Sequence, residues 1–243
     1  MKAIILAAGK GKRLHSESFT LPKVMREING KPLLGYVVDS LSFIDKKDTV
    51  IVVGYKREKV IEKFPGYRFA VQEEQLGTGH AVNCAKELLA DYDGPVLVCY
   101  GDMPLFTTET YKNAFAVHEK SHADCTVITG VTDIPLAYGR VIRDGDGRFL
   151  TVVEERDCTP EQKLIRELNV GVYVFDSKKL FASLGSLKNN NAQGEYYLTD
   201  APELIRSNGG KIETYTINDG VQLLGVNTPE DLERCEKLLS ERA

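Results

Sequence analysis

Residues 6 to 14 read LAAGKGKRL and end an apolar run that opens one residue after Met1. Gly9 and Gly11 lack a Cβ, so the backbone there can fold into a concave nest of N–H donors that approaches an anion closely. Lys10, Lys12 and Arg13 add positive charge at the same place. From residue 10 to residue 31 there are six cations (Lys10, Lys12, Arg13, Lys23, Arg26 and Lys31) against two acids, Glu17 and Glu27. The whole chain has a formal net charge of -4, so this excess is local. Such a loop, set at the carboxyl end of a strand, describes a phosphate site. Two familiar phosphate loops fail on spacing. A Walker A loop needs glycine five residues before its Gly-Lys pair and Ser or Thr after it; Leu6 and Arg13 hold those places. A dinucleotide fingerprint needs a third small residue where Leu14 stands.

The elements that must position this loop follow from periodicity. Lys2–Ala7 (KAIILA), Thr49–Val53 (TVIVV) and Val96–Tyr100 (VLVCY) are near-continuous apolar runs of strand length. Such runs suit strands buried on both faces of a parallel sheet. Helical patterns over Pro32–Leu41, Glu58–Phe64 and Gly79–Leu89 lie between them, which predicts βαβ units. Beyond residue 124, Asp124–Val131, Arg140–Ile142 and Phe149–Glu154 read as strands, with the turn Asp144-Gly145-Asp146-Gly147 making a hairpin. Thr159-Pro160-Glu161-Gln162 has the residues of a capping box, so a helix is expected from there to about Glu167. Gln222–Val226 reads as a further strand, and Thr228-Pro229-Glu230-Asp231 opens the last helix by a similar device. The expected fold is α/β: a Rossmann-like, mixed but mostly parallel sheet flanked by helices, with an antiparallel excursion, in one domain over 1–243.

Composition removes several classes. Hydrophobic residues at 42% and charged residues at 27% suit a soluble globular chain. The acidic balance speaks against nucleic acid or an anionic membrane surface as a partner. No apolar stretch approaches the roughly 20 residues that span a bilayer, and the first apolar run reads as a strand, not a signal peptide. Five scattered cysteines, an odd number with no C-x-x-C pair, predict buried free thiols, a cytoplasmic setting and no zinc site. His15, His80, His118 and His122 show no metal spacing.

LAAGKGKRL, followed by Leu21-Pro22-Lys23 and Gly30-Lys31-Pro32-Leu33, resembles the signature of the sugar-1-phosphate nucleotidylyltransferases. QEEQLGTGHAV (72–82), YGDMPL (100–105), YGRVIRD (138–144), VVEERD (152–157), ELNVGVYVFD (167–176), NNNAQGEYYLTD (189–200) and GVNTPEDL (225–232) narrow the likeness. Together they resemble the N-terminal uridylyltransferase domains of the bacterial bifunctional enzymes that make UDP-N-acetylglucosamine. Two departures stand out. The segment His15–Leu21 is about two residues longer than usual, and the sequence ends at Ala243 without the hexapeptide-repeat half, so acetyl transfer is not expected of it.

The resemblance implies attack by a sugar 1-phosphate oxygen on the α-phosphorus of UTP, with release of pyrophosphate and Mg²⁺ as the cofactor. Such a reaction asks the protein to align two polyanions and spread phosphoryl charge, and it needs no nucleophilic side chain. By resemblance Arg13 stabilises the β- and γ-phosphates, and Lys23 contacts the α-phosphate and the sugar phosphate. Asp102 and Asn227 are the implied metal ligands, and hard oxygen donors suit Mg²⁺. Leu6, Ala7, Ala8, Gly9, Gln72, Gly77 and Thr78 are implied for the nucleotide; Gln72 offers both a donor and an acceptor to the uracil edge. Tyr100, Gly101, Gly139, Glu154, Asn169, Tyr196 and Thr199 are implied for the sugar. The expected partners are therefore UTP and a sugar 1-phosphate, N-acetylglucosamine 1-phosphate above all. A glycosyltransferase would show Asp-x-Asp, but Pro104 stands where the second acid belongs. Two other readings stay open: a sibling enzyme with another base or acceptor, and an inactive module that binds nucleotide sugars.

Overall fold

The computed structural model describes residues 1–14, 21–134 and 136–242, with the backbone alone at Lys12 and Arg242. The longer segment noted above therefore lies outside the described residues, apart from Leu21. β1 (Lys2–Ala7) leads into the glycine loop. A hairpin of β2 (Glu27–Ile28) and β3 (Lys31–Pro32) follows, then α1 (Leu33–Ser40) and β4 (Thr49–Val53). After these come α2 (Arg57–Lys63), β5 (Arg68–Val71), α3 (Thr78–Asn83), β6 (Pro95–Tyr100) and α4 (Thr108–Ser121). β4 and β6 each pair parallel with β1, and β5 pairs parallel with β4.

The apolar runs are continuous because both faces of these strands are covered. In β1, Ala3, Ile5 and Ala7 enter one core with α1 and α4, while Ile4 and Leu6 enter another with α3. β4 and β6 alternate between the same two cores. A parallel sheet places the carboxyl ends of its strands on one edge, and Leu6 lies beside Tyr100 there.

The second half supplies the antiparallel strands: β7 (Cys125–Val131), β8 (Gly139–Arg143), β9 (Phe149–Val153) and, after α5 (Pro160–Lys163), β10 (Glu167–Asp176). Then come α6 (Ser177–Leu184), α7 (Ala201–Ser207), β11 (Ile212–Ile217) and α8 (Pro229–Arg242). The sheet order is β11-β7-β10-β6-β1-β4-β5, with the β8–β9 hairpin attached through β8 to β10. Because β10 runs against β6, its first residues reach the edge where β1 and β6 end.

Three expectations are corrected. The helix expected over 79–89 ends at Asn83, and Lys86–Leu89 winds as a 3-10 turn. Val82, Ala85 and Leu89 stay buried in both windings, so the apolar pattern fitted either. The helix from Thr159 has its capping box, with Thr159 Oγ1 accepting from Gln162 N and Gln162 Oε1 accepting from Thr159 N, but it stops at Lys163. Leu164 is 80% exposed, so no apolar face carries the helix further before β10 begins. Gln222–Val226 is not a strand: Gly220–Leu223 is a 3-10 turn whose buried Gln222 and Leu223, followed by buried Leu224 and Val226, imitate a buried strand in sequence.

None of the five cysteines is bonded; Cys99, Cys125 and Cys235 are buried and the other two partly so. Among the described residues no helix is long and apolar enough to cross a membrane.

Candidate active site

Two cavities open side by side along the strand-end edge, of about 250 and 190 Å³. Tyr100 and Asp102, at the end of β6, line both and form the seam.

The first cavity is floored by the glycine loop. Leu6, Ala7, Ala8, Gly9, Gln72, Gly77 and Thr78, all expected on the nucleotide side, line it together with Lys23. A Cβ at Gly9 would meet nothing within 4 Å, so the space beside the loop belongs to the cavity. Gly77 takes φ of 110°, and a Cβ there would stand 2.6 Å from Tyr196 O. The close approach has a reason: Tyr196 N donates to Leu76 O and Tyr196 O accepts from Gly79 N, both at 2.8 Å. Thr78 Oγ1 accepts from Leu198 N at 3.0 Å. Segment 195–198 thus clamps the rim of the first cavity.

The second cavity holds Gly139, Glu154, Asn169 and Thr199, four residues expected on the sugar side, with Tyr100 and Asp102 at its seam. Gly139 opens β8 opposite Asn169 on β10, and Glu154 follows β9, so the hairpin carries two walls at once. Asn169 is fixed from both ends: its Nδ2 donates to Tyr173 Oη at 2.7 Å, and Oδ1 accepts from Gly171 N at 3.4 Å. An irregularity in the β10–β7 register between Asn169 and Tyr173, with Gly171 at φ of 74°, makes that turn possible. Burial pushes the Glu154 carboxyl above the usual carboxylate range and the Tyr100 phenol above its ordinary value. The Thr199 hydroxyl is buried beside the Glu154 carboxyl and makes no other hydrogen bond among the described residues, so a bound ligand can engage it.

Two sugar-side expectations are placed differently. Gly101 lines neither cavity; its N–H donates to Leu6 O at 2.9 Å and a Cβ would press on Val24 and Leu34, so it packs β6 against β1. Tyr196 also lines neither cavity and acts through the backbone bonds just described.

Lys23, Asp102, Asn227 and Arg13 meet at the mouth. Lys23 Nζ donates to Asp102 Oδ2 in a close ion pair and to Asn227 Oδ1 at 2.9 Å; Arg13 Nη2 reaches the same Asn227 oxygen at 3.1 Å. Asn227 comes from a loop, not a strand end. That loop is tied down by Val226 N donating to Asp102 O at 3.0 Å, and by Asp231 Oδ2 accepting from the Asn227 and Thr228 amides at 2.9 Å. Thr228 Oγ1 in turn accepts from Asp231 N, so the reciprocal cap of α8 holds a site residue in place.

The donor set can be tested against a divalent cation. Asp102 and Asn227 already turn two hard oxygens toward one cationic head, the Lys23 ammonium, which is the chemistry Mg²⁺ asks of a protein. Among the described residues no group of three or more His, Cys, Asp or Glu side chains converges on a metal position. Mg²⁺ is commonly held by one or two protein oxygens completed by phosphates and water, and these two oxygens fit that pattern.

The protein-family model described as "Nucleotidyl transferase" matches residues 2–220. The chain belongs to the nucleotidyl transferase family. It is 43% identical over 242 residues to the bifunctional protein GlmU of Clostridium novyi (strain NT), covering 99% of this chain and 52% of that protein. It is 44% identical over 240 residues to the same-named protein of Thermoanaerobacter pseudethanolicus, covering 98% and 51%. The chain spans about half the length of the curated relatives it matches. A solved Bacillus anthracis structure with bound sucrose, proposed by its name to be a glucose-1-phosphate thymidylyltransferase, shares the fold. Its TM-score is 0.73 at 21% identity, over 98% of this chain and 94% of that one.

This nucleotidyl transferase has site features that sequence reasoning missed. Gln75 lines the first cavity and its Nε2 donates to Ala8 O at 2.8 Å, bracing the glycine loop. Tyr138 lines the second; its hydroxyl donates to Leu223 O at 2.7 Å and accepts from Gly225 N at 3.1 Å, tying the β8 side to the Asn227 loop. Both residues sit inside the quoted motifs, QEEQLGTGHAV and YGRVIRD, and the signal that could have found them was that position.

Proposed function

We propose that this chain is a Mg²⁺-dependent uridylyltransferase that joins UTP and N-acetylglucosamine 1-phosphate to give UDP-N-acetylglucosamine and pyrophosphate. One observation carries the reading: Lys23 is held between Asp102 and Asn227 where the two cavities meet. A cation at that seam faces both the α-phosphate of a nucleotide in one cavity and the phosphate of a sugar in the other. The sugar phosphate oxygen forms the new P–O bond, and the bond to the β-phosphate breaks to release pyrophosphate. Lys23 screens the repulsion between the two polyanions as they approach. Arg13 is exposed at the outer side of the cluster, where its planar fork suits the departing pyrophosphate. Asp102 and Asn227 would hold Mg²⁺, which would supply charge neutralisation for the transferred group. Glu154, Asn169 and the buried Thr199 hydroxyl offer acceptors and a donor to sugar hydroxyls, and Gly139 leaves room beside them. The two relatives' shared name and the near-complete coverage of this chain support the choice of substrates.

The test is pyrophosphate release from a panel of nucleoside triphosphates against hexose and hexosamine 1-phosphates, with and without Mg²⁺. The expected result is turnover of UTP with N-acetylglucosamine 1-phosphate that is lost in EDTA. Tight calorimetric binding of UDP-N-acetylglucosamine with no turnover of any pair would make the chain a sensor instead.

A further inference from the structure

Gln72 is 5% exposed and lines the nucleotide cavity, yet its amide is not free to present both ends. Its Nε2 donates to Gly77 O at 3.0 Å and lies 3.1 Å from His80 Nδ1. The carbonyl at Gly77 decides the orientation. Turning the amide over would set two acceptor oxygens 3.0 Å apart. With Nε2 facing it, His80 Nδ1 takes the acceptor role, which places the ring proton on the other nitrogen, Nε2. Both Gln72 donors are then used within the protein, and Oε1 is what remains for a ligand. Gln72, expected to serve the base with donor and acceptor alike, therefore has its acceptor left to offer.

We propose that His80 is a positioning residue for base selection: by accepting from Gln72 Nε2 it holds Oε1 toward the base and favours a ring N–H. This rests on the nucleotide occupying the cavity named in the proposed function. Uracil, thymine and guanine carry such an N–H on their pairing edge. Cytosine and adenine carry a bare nitrogen there, which would face Oε1 acceptor to acceptor. A polar site of this kind rejects a mismatched partner more strongly than an apolar pocket does, since its buried group is left unpaired. His80 lines neither cavity, so it acts only through Gln72.

Calorimetric titration of UTP and CTP, without sugar phosphate, on the wild type, His80→Leu and His80→Asn tests this. The wild type is expected to prefer UTP by about tenfold or more. Leu removes the acceptor at similar bulk, and the preference should fall by about tenfold, with the loss on UTP. Asn can set Oδ1 where Nδ1 stands and should restore the preference. An unchanged ratio in His80→Leu, equal losses for both nucleotides in both variants, or a wild type that binds CTP as well as UTP overturns the proposal. Because the titration needs no turnover, preferential UTP binding without pyrophosphate release sinks the uridylyltransferase reading alone. UTP turnover with a ratio indifferent to His80→Leu sinks this one alone.

Discussion

The cavity proposed for the nucleotide and the cavity proposed for the sugar share a seam but are built in different ways. The first rests on glycine-bearing backbone, the loop after β1 and the Gly77–Thr78 rim on the parallel half of the sheet, with the clamp of segment 195–198 brought in from the second half. The second is mostly side chains, Glu154, Asn169, Thr199 and Tyr138, gathered from separate segments of the antiparallel half. A triphosphate presents repeated oxygens that backbone N–H groups and a few cations can hold, whatever the side chains nearby. A sugar presents hydroxyls at fixed angles, which only placed side chains distinguish. The geometry of each cavity suits what its proposed ligand offers.

The largest effect should come from breaking the seam, because it belongs to both sides. Lys23→Ala and Asp102→Ala are each expected to lower kcat by about two to three orders of magnitude, the loss typical when a preorganised charge contact to the reacting group is removed. Arg13→Ala should cost about two orders. Single-turnover assays at saturating substrates check this. Near-normal turnover in Lys23→Ala would mean that the cavities do not meet at the reacting phosphates.

The same contrast governs what the sequence could reveal. β1 and β4 are found at the residues their apolar runs predict, because burial on both faces leaves no polar interruption in Lys2–Ala7 or Thr49–Val53. Every residue expected on the nucleotide side lines that cavity, since consecutive loop residues after a strand share one place. The sugar side was legible only in part. Gly101 and Tyr196 fall within matching motifs but turn out to pack and clamp. Asn227 was expected at a strand end, and its loop is fixed instead by contacts to Asp102, Tyr138 and Asp231. Those contacts join residues more than 80 positions apart, or depend on a cap, and apolar periodicity carries neither.

Two glycines sharpen the comparison next. Gly77→Ala must force a Cβ against the Tyr196 backbone at a φ of 110°, a conformation L side chains rarely adopt. It should destabilise the protein by about 2 kcal/mol and weaken UTP binding about tenfold or more. Gly139→Ala meets Val152 Cγ1 at 2.8 Å and Val153 O at 3.3 Å, beside Glu154. It should raise the KM for the sugar phosphate by about tenfold and leave UTP affinity within twofold. Titrations with each substrate separate the two; equal damage to both substrates by Gly139→Ala would mean that the cavities are not independent.

A smaller loss is expected behind the sugar wall. Arg140, 8% exposed, pairs with Glu155 at 2.8 Å and donates to Tyr138 O, joining the residues next to Gly139 and Glu154. Arg140→Met leaves the Glu155 carboxylate with Lys163 alone, whose ammonium lies 3.8 Å away on an exposed side chain. A fully buried pair broken outright costs about 3 kcal/mol or more; Glu155 is 28% exposed and keeps that second cation, so about 1 kcal/mol is expected from urea denaturation. The KM for sugar phosphate should rise with it, while that for UTP stays put.

A pH-dependent effect is expected of the acids crowded beside the sugar cavity. Burial, reinforced by Glu203 and Asp157, pushes the Asp200 carboxyl up to about 6. The folded state therefore holds this proton more tightly than the unfolded chain, in which the carboxyl titrates near 3.8. Unfolding releases a proton in between, so the contribution is most favourable below about pH 4, is lost as pH rises through about 6, and is flat above. Asp200→Asn removes the titration. It should stabilise the protein by about 2 kcal/mol at pH 8 relative to its effect at pH 4, read as the difference between urea midpoints of variant and wild type at the two values. The neighbouring Glu154, raised by burial and to a smaller extent by Asp200 itself, adds to the wild-type slope with the same sign, and losing the Asp200 charge relaxes it in the direction of the main effect. A variant whose advantage is equal at both pH values would show that Asp200 is no burden to the fold. The acids beside the side-chain-built cavity would then carry no stability cost, and on that count the two cavities would not differ.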